Sequence, residues 1–468
     1  MIGTQENPLR VAVIGSGPAG FYAAGQLLGK KAQHVARVDV FDRLPTPWGL
    51  VRAGVAPDHP NIKAVSRVFE KTAGHEGFRF FGNVELGRDL DVSDLRRHYH
   101  AVIFAVGAQS DRRMGIPGEE LPGSWGATDF VAWYNAHPDY RHLDFDLNCA
   151  RAVVVGNGNV ALDVARMVAL THDELRVTDV ADHALEALRE SQIREIVVLG
   201  RRGPLQAAFT NPELRELGEM IEADVSVEVC EADLDPLSRA LLDESDITAR
   251  KNVDILTAYS KRPPAGRPTR LVLRFLASPV EILGDERVEG IVIERNELVR
   301  DEESGALRAR PTGERETISC GLVLRSIGYR GVALPGVPFD EPSAVIPNDG
   351  GRVLEDGEPR RGEYVTGWIK RGPSGVIGTN KKDSGETVAL LLADLEAERL
   401  LDPPDPDTDA IEDLLRDRGV EVVTQEGWEA IDEHERGRGE PSDRPRAKLT
   451  SFEELLEQAR AGARAGAR

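Results

Sequence analysis

The chain reads as an α/β protein of two Rossmann-like dinucleotide-binding domains, the second inserted into a discontinuous first. Three observations predict this. An apolar run at residues 11–14 breaks into Gly15-x-Gly17-x-x-Gly20, and a helical stretch follows from Phe21 to about Leu28. The pattern returns at residues 151–166, where the run 152–155 leads into Gly156-x-Gly158-x-x-Ala161 and a helix. A buried strand ending in a Gly turn, residues 101–107, has a counterpart at residues 321–329, as expected of a domain that is left and re-entered.

Each glycine of the first loop has a separate part to play. Gly15 permits the tight turn, Gly17 lets a pyrophosphate approach the backbone, and Gly20 lets helix and strand pack closely. The phosphate then meets the free N–H groups and positive end of the helix. The next strand, residues 37–42, ends in Asp42, placed to hold a ribose hydroxyl. A Pro- and Gly-punctuated apolar run, residues 45–60, follows and is expected to be irregular while tracking the cofactor towards its reactive end. A helix over 61–73 and strands over 78–84 and 101–107 complete the first part.

In the second loop Gly156, Asn157, Gly158 and Asn159 take the same places, with Ala161 an allowed third small residue. After an inserted polar, helical stretch (about 171–191), the strand 196–199 ends in Gly200-Arg201-Arg202-Gly203 rather than in a carboxylate. Planar cationic donors suit a 2′-phosphate that a carboxylate would repel, so this site reads as NADP and the first as a nucleotide with a free ribose hydroxyl. A solvated charged turn is the alternative for Arg201 and Arg202. The stretch 271–295 alternates like antiparallel strands, and the segment at 321–329 is taken as the return to the first domain. The expected boundaries are therefore 1–107 and 325–468 for the first domain and 108–324 for the inserted one.

Towards the C-terminus, a strand and turn at 363–368 lead through a Gly-rich run, Gly372 to Gly378, to a helix near 383–400. Backbone N–H donors there would suit the reduced end of a flavin, a structural left-handed turn being the alternative. Beyond the Pro-rich linker 402–406 come two or three charged helices, the last opening with the capping pattern Ser451-x-x-Glu454. The tail from residue 459 is expected to fray.

Bulk properties narrow the function. At 468 residues, with 41% hydrophobic and 29% charged side chains, the chain is an ordinary soluble type. No apolar run approaches a membrane span and the N-terminus carries no targeting pattern, so a cytoplasmic protein is expected. A net charge of −21 argues against nucleic acid as the main partner. The cysteines, Cys149, Cys230 and Cys320, form no Cys-x-x-Cys pair or local metal motif, and each is expected to pack as a small buried hydrophobe.

With these residues placed, the chain resembles the adrenodoxin-reductase-like ferredoxin–NADP reductases, mycobacterial members included. The resemblance covers nearly the whole chain and is most specific at residues 45–63, 156–166, 200–209 and 368–382. It implies a glutathione-reductase-like fold, FAD in the first site, NADPH in the second, and electrons passed singly to an iron–sulfur protein. Residue by residue it implies FAD contacts at Gly20, Asp42, Leu50, the backbone near Val84, Trp368, Gly375, Val376 and Ile377. NADP contacts are implied at Gly156, Asn157, Gly158, Asn159, Arg201, Arg202, Glu213, Arg112 and Gly375. The family commonly has Glu where this chain has Asp42. His59 and Asp163 are implied at the polar end of the reacting rings, to orient the carboxamide or manage a proton; a structural histidine in a Pro-flanked turn is the alternative for His59.

The acceptor is expected to be acidic and to dock near residues 250–274 on a chain that acts as a monomer. That stretch carries Arg250, Lys251, Lys261, Arg262, Arg267, Arg270 and Arg274 against few acids of its own. An ordinary solvated face is the alternative. Three other functions compete. A pyridine-nucleotide disulfide reductase lacks its paired cysteines, and an electron-input subunit like that of glutamate synthase lacks its cysteine-rich region. A non-catalytic flavin-bound sensor would not need two complete nucleotide sites.

Overall fold

The computed structural model describes residues 2–30, 32–303, 305–407 and 409–466, with side chains as far as residue 462. The chain divides into two compact units, one of Met1–Ser110, Asn135–Asp139 and Tyr329–Arg468, the other of Asp111–Tyr134 and Tyr140–Gly328. Both are α/β Rossmann-like units, and the second is inserted in the first.

Among the described residues, the first unit holds a seven-stranded sheet. Its order is Asn348–Asp349, Arg352–Glu355, Glu358–Val365, Ala101–Phe104, Leu9–Ile14, Ala36–Asp42 and Phe78–Gly82. The five strands from Glu358–Val365 to Phe78–Gly82 run parallel. Val11, Ala12 and Val13 are fully buried, so both faces of this strand are covered, which is why it reads as a continuous apolar run and not as an alternation. The helix Pro18–Leu28 packs on one face, with Phe21 stacked between Phe69 and Phe78. The far edge strand, Phe78–Gly82, is met by the C-terminal segment. Gly82 and Val423 exchange backbone hydrogen bonds of 2.8 and 2.9 Å, and Arg79 reaches Glu412 at 2.8 Å.

Among the described residues, the second unit has a six-stranded sheet ordered Ser124–Gly126, Leu322–Arg325, Arg151–Val155, Glu195–Leu199, Thr269–Arg274 and Ala223–Val227. A separate antiparallel sheet joins Ala277–Leu283, Gly290–Arg300 and Leu307–Ser319.

Several local expectations change. The segment at 321–329 does not rejoin the first sheet: Leu322–Arg325 pairs with Arg151–Val155, and the chain returns only at Tyr329. Residues 271–274 pair in parallel within the six-stranded sheet, and antiparallel pairing starts at Ala277. The run 45–60 contains a helical turn, Leu50–Ala53, closed by Ala53 N–H to Gly49 O at 2.9 Å once Gly49 (φ +50) has reversed the chain. The helix expected over 61–73 is two, Pro60–Lys63 and Ser66–Ala73, joined by tighter three-residue turns at Ala64 and Val65. The C-terminal helix runs from Phe452 to Gly466, further than the fraying expected from 459; residues 467 and 468 lie outside the described residues. Ser451 and Glu454 form the expected capping box, Ser451 Oγ–Oε2 at 2.8 Å and Glu454 N–Oγ at 3.2 Å. Cys320 is buried, its thiol pushed up to about 12 by burial, whereas Cys230 is exposed. Among the described residues no helix is long and apolar enough to cross a membrane.

Candidate functional site

In the first unit the glycines divide into two kinds. Gly15 (φ +105) and Gly20 are packing positions: a Cβ would lie 2.6 Å from Ala105 O at Gly15 and 2.1 Å from Gly15 O at Gly20. At Gly17 a Cβ would meet nothing within 4 Å. Gly17 is also the N-cap of Pro18–Leu28 and brings no side-chain cap, so the first N–H groups of this helix stay available to an anion. The helix is steadied from behind, where buried Ser384 donates to Ala19 O at 2.9 Å.

Asp42 ends its strand beside this loop, already engaged. Ser16 donates to Asp42 Oδ2 from both N (2.9 Å) and Oγ (2.5 Å), and Leu44 N donates to Oδ1 at 3.0 Å. A carboxylate offers roughly four lone-pair positions, so the shorter acid is held in place while keeping room for one more donor. Val84 N in turn donates to Asp42 O at 2.9 Å. The turn before Leu50 lies directly over the loop: Trp48 N donates to Ser16 O at 3.0 Å, and a Cβ on Gly49 would sit 2.9 Å from Gly17 Cα.

Trp48 has φ +82, a conformation a bulky residue adopts only under constraint. Trp428 supplies one, its ring edge-on at 4.9 Å. Arg52, over the Trp428 ring, pairs with fully buried Glu435 through Nη1 (2.8 Å) and Nη2 (2.5 Å). Burial opposes ionisation of Glu435, yet Arg52 and Arg446 hold its carboxyl below its ordinary value. His59 is buried and begins the turn Pro60–Lys63, its carbonyl accepting from Ile62 and Lys63.

In the same unit, Trp368 stacks on Tyr329 at 5.4 Å and donates from Nε1 to Ser374 O. Buried Asp383 ties Gly367 N (2.5 Å), Thr366 Oγ1 (3.0 Å) and Lys370 Nζ (2.9 Å) together. Gly375 takes φ +79, Val376 is 57% exposed, and Ile377 is half-buried. They precede the helix Thr379–Glu396, whose N-cap, Gly378, has no side-chain cap. Arg371 donates from Nη2 to Asn380 Oδ1 at 3.0 Å, while its Nε and Nη1 are buried without a hydrogen-bond partner among the described residues.

The second unit repeats the glycine arrangement. Gly156 (φ +136) would place a Cβ 2.1 Å from Ser326 O, and Gly158, the uncapped N-cap of Asn159–Ala169, has nothing within 4 Å. Asn157 O accepts from Ala208 N at 3.0 Å and Asn159 Oδ1 from Thr210 N at 2.8 Å, which fixes both residues beside the loop. Arg201 is exposed and Arg202 half-buried. Among the described residues neither guanidinium pairs with a carboxylate, and Arg202 Nη2 makes only a long hydrogen bond, 3.4 Å to Gln206 O. Burial first, and Arg201 second, push the Arg202 guanidinium below its ordinary value. Arg112 is exposed, its side chain running beside Gly328.

Asp163 and Glu213 are engaged in the second unit. Buried Arg166 donates to Asp163 Oδ1 at 2.8 Å and lies 3.8 Å from Glu213 and 3.7 Å from Glu216. The basic stretch is also less cationic than its sequence: Arg267 lies against Asp224, Arg270 pairs with Glu195, and Arg274 pairs with Glu231 and Glu316. Arg250, Lys251 and Lys261 on the helix Ile247–Lys261, and Arg262 just after it, are without a carboxylate partner among the described residues.

Ser16, Asp383, Arg371 and Glu435 were not among the sequence candidates. Ser16 carried a signal, as a polar residue between the first two glycines; Glu435 depends on Arg52, remote in the chain, and Asp383 and Arg371 on partners in the neighbouring turn and helix.

The chain is also similar to known proteins. A family model described as pyridine nucleotide-disulphide oxidoreductase matches residues 9–198. NADPH-ferredoxin reductase FprA of Mycobacterium tuberculosis is 52% identical over 462 residues, 96% of this chain and 98% of that protein. The mitochondrial NADPH:adrenodoxin oxidoreductase of Salvelinus fontinalis is 42% identical, over 98% of this chain and 92% of that protein. A solved structure of M. tuberculosis FprA in complex with NADPH matches with a TM-score of 0.91 at 50% identity, covering 97% of this chain and all of that one.

Proposed function

Because this chain belongs to the NADPH–ferredoxin reductase family, we propose that it oxidises NADPH through a bound FAD and passes the electrons to a ferredoxin- or adrenodoxin-type iron–sulfur protein. The observation that carries this reading is the pair of uncapped, glycine-fronted helix N-termini, of which the second is followed by two arginines without carboxylate partners among the described residues. When bound, FAD accepts two electrons together and releases them singly, as an iron–sulfur acceptor requires.

In this reading the first unit holds FAD. Gly15 and Gly20 shape the loop, Gly17 meets the pyrophosphate, and Asp42, steadied by Ser16, takes a ribose hydroxyl. Leu50, the backbone at Val84, Trp368 and the run Gly375, Val376 and Ile377 bound the rest. The second unit holds NADPH on Gly156, Asn157, Gly158 and Asn159, with Arg201 and Arg202 on the 2′-phosphate and Arg112 and Glu213 alongside. His59 orients the reacting groups or moves a proton there. Asp163 contributes as a carboxylate oriented by Arg166.

The acceptor is proposed to be acidic and to dock on residues 250–274 of a monomer, with Arg250, Lys251, Lys261 and Arg262 supplying the charge left after the other arginines are paired. Surface charges of this kind steer association and lose strength with salt. A disulfide reductase is disfavoured because Cys149, Cys230 and Cys320 are all free.

Anaerobic NADPH added to the yellow protein should bleach it, and small acidic iron–sulfur proteins should restore the colour at a rate that falls with salt. Protein that is colourless and cannot be reconstituted with FAD would end this reading. Ferredoxin reduction insensitive to salt would end only the docking part.

A further inference from the structure

The Arg201–Arg202 turn does not hold itself in place. Two adjacent guanidiniums repel one another, one of them is half-buried, and no carboxylate of the described residues offsets either. Each of these terms favours a turn that opens into water. Gly200 N donates to Arg274 O at 2.8 Å at the start of the turn, and the carbonyls from Gly200 to Arg202 are held from the antiparallel sheet and the link leading into it. Asn296 Nδ2 donates to Arg201 O at 2.8 Å, Leu276 N to Arg202 O at 3.1 Å, and Ala277 N to Gly200 O at 3.1 Å.

Asn296 ties this group together. Its own N–H donates to Leu276 O at 2.7 Å, and its amide nitrogen also donates to Ser278 Oγ at 2.8 Å. Leu276 is kept at φ +55, where a Leu rarely rests. Asn is depleted in strand interiors, yet Asn296 is only 3% exposed within Gly290–Arg300. It lies where the register with Leu307–Ser319 slips, between Glu294 and Asn296. Such slips re-aim side chains. An uncharged amide is suited to this position because it fixes the carbonyl of Arg201 without neutralising either guanidinium. An Asp would place an acceptor against a carbonyl and a negative charge beside the anion to be bound.

We propose that Asn296 is a positioning residue for 2′-phosphate selectivity, acting through the backbone of the Arg201–Arg202 turn. The proposal rests on the reading of the second unit as the NADP unit.

The test is isothermal titration of the full-length, FAD-loaded protein with adenosine 2′,5′-bisphosphate and with 5′-ADP, wild type against Asn296→Ala. Loss of one neutral hydrogen bond, with loosening of the turn, should weaken the 2′-phosphorylated compound by about tenfold and 5′-ADP by less than about twofold. KM for NADPH should rise with kcat unchanged, and the NADH parameters should stay put. If Asn296→Ala does not fold, as judged by FAD content and circular dichroism, Asn296→Ser carries the same expectation, since its hydroxyl is too short for the Arg201 carbonyl. A selectivity ratio unchanged in the folded variant overturns the proposal. Wild type that fails to prefer the 2′-phosphorylated compound overturns the NADP reading and the proposal with it.

Discussion

Gly156 faces Ser326 so closely that a methyl group on its Cα would lie 2.1 Å from the Ser326 carbonyl oxygen. Gly15 stands in the same relation to Ala105 in the other unit, at 2.6 Å. In each case the first loop glycine abuts the end of the strand beside the one it follows. Gly156→Ala should therefore destabilise the second unit by more than about 2 kcal/mol, from backbone strain and the clash together. Gly158→Ala should cost less than about 1 kcal/mol, since that site is open, and yet lose NADPH affinity because the pyrophosphate needs the same space. Thermal melts and NADPH titrations of both variants check this; equal melting losses would refute the division of labour.

Arg201→Ala and Arg202→Ala should each raise KM for NADPH by about ten- to a hundredfold, the range for a lost charge-assisted hydrogen bond of ~1.5–3 kcal/mol. Turnover with NADH should be nearly unaffected. Steady-state kinetics with both coenzymes decides it.

The Arg52–Glu435 pair is buried, with side chains 7% and 0% exposed. Glu435→Ala should cost about 3–5 kcal/mol by leaving Arg52 uncompensated. It should also release FAD faster, because Arg52 lies in the turn that carries Leu50. Since the folded Glu435 carboxyl titrates below its ordinary value, its contribution is present above the unfolded value of about 4.3 and lost as pH falls through the folded one. Flavin fluorescence during acid titration should show release at higher pH in the variant than in the wild type.

Asp111 has the opposite sign. Burial, against the hydrogen bond from Thr128 N, pushes its carboxyl up to about 6. The folded state then loses stability as pH rises from about 3.9 to about 6, and stays lower above that. Asp111→Asn should stabilise the protein by about 1–2 kcal/mol near pH 7 and by almost nothing near pH 4, as read by urea unfolding at both.

What the sequence made legible was local. The strand, glycine spacing and helix of each loop, Asp42, and the arginine pair are runs of a few residues whose physics is complete within the run. What escaped it depends on remote partners. Glu195, Glu231, Glu316 and Asp224 lie outside residues 250–274, and only the fold of strands and helix brings them against Arg270, Arg274 and Arg267. Asp42 reads as an open ribose ligand until Ser16 is seen to occupy half of it. The segment at 321–329 does share the role of 101–107, each lying beside the strand that feeds a glycine loop, but the pattern cannot say to which sheet it belongs. A Pro- and Gly-rich run likewise conceals the Leu50–Ala53 turn, because it forms on tertiary contacts rather than propensity.

The bridge between Gly82 and Val423, with the tail residues Val420 and Val422 packed against the core cluster that holds Phe81, makes the end of the chain a sheath. Strand Phe78–Gly82 would otherwise be a sticky, aromatic border with unspent amides, the template along which identical molecules stitch into fibrils. A protease nick in the Pro-rich run near 402–406 would thus threaten colloidal behaviour before it threatened any chemistry.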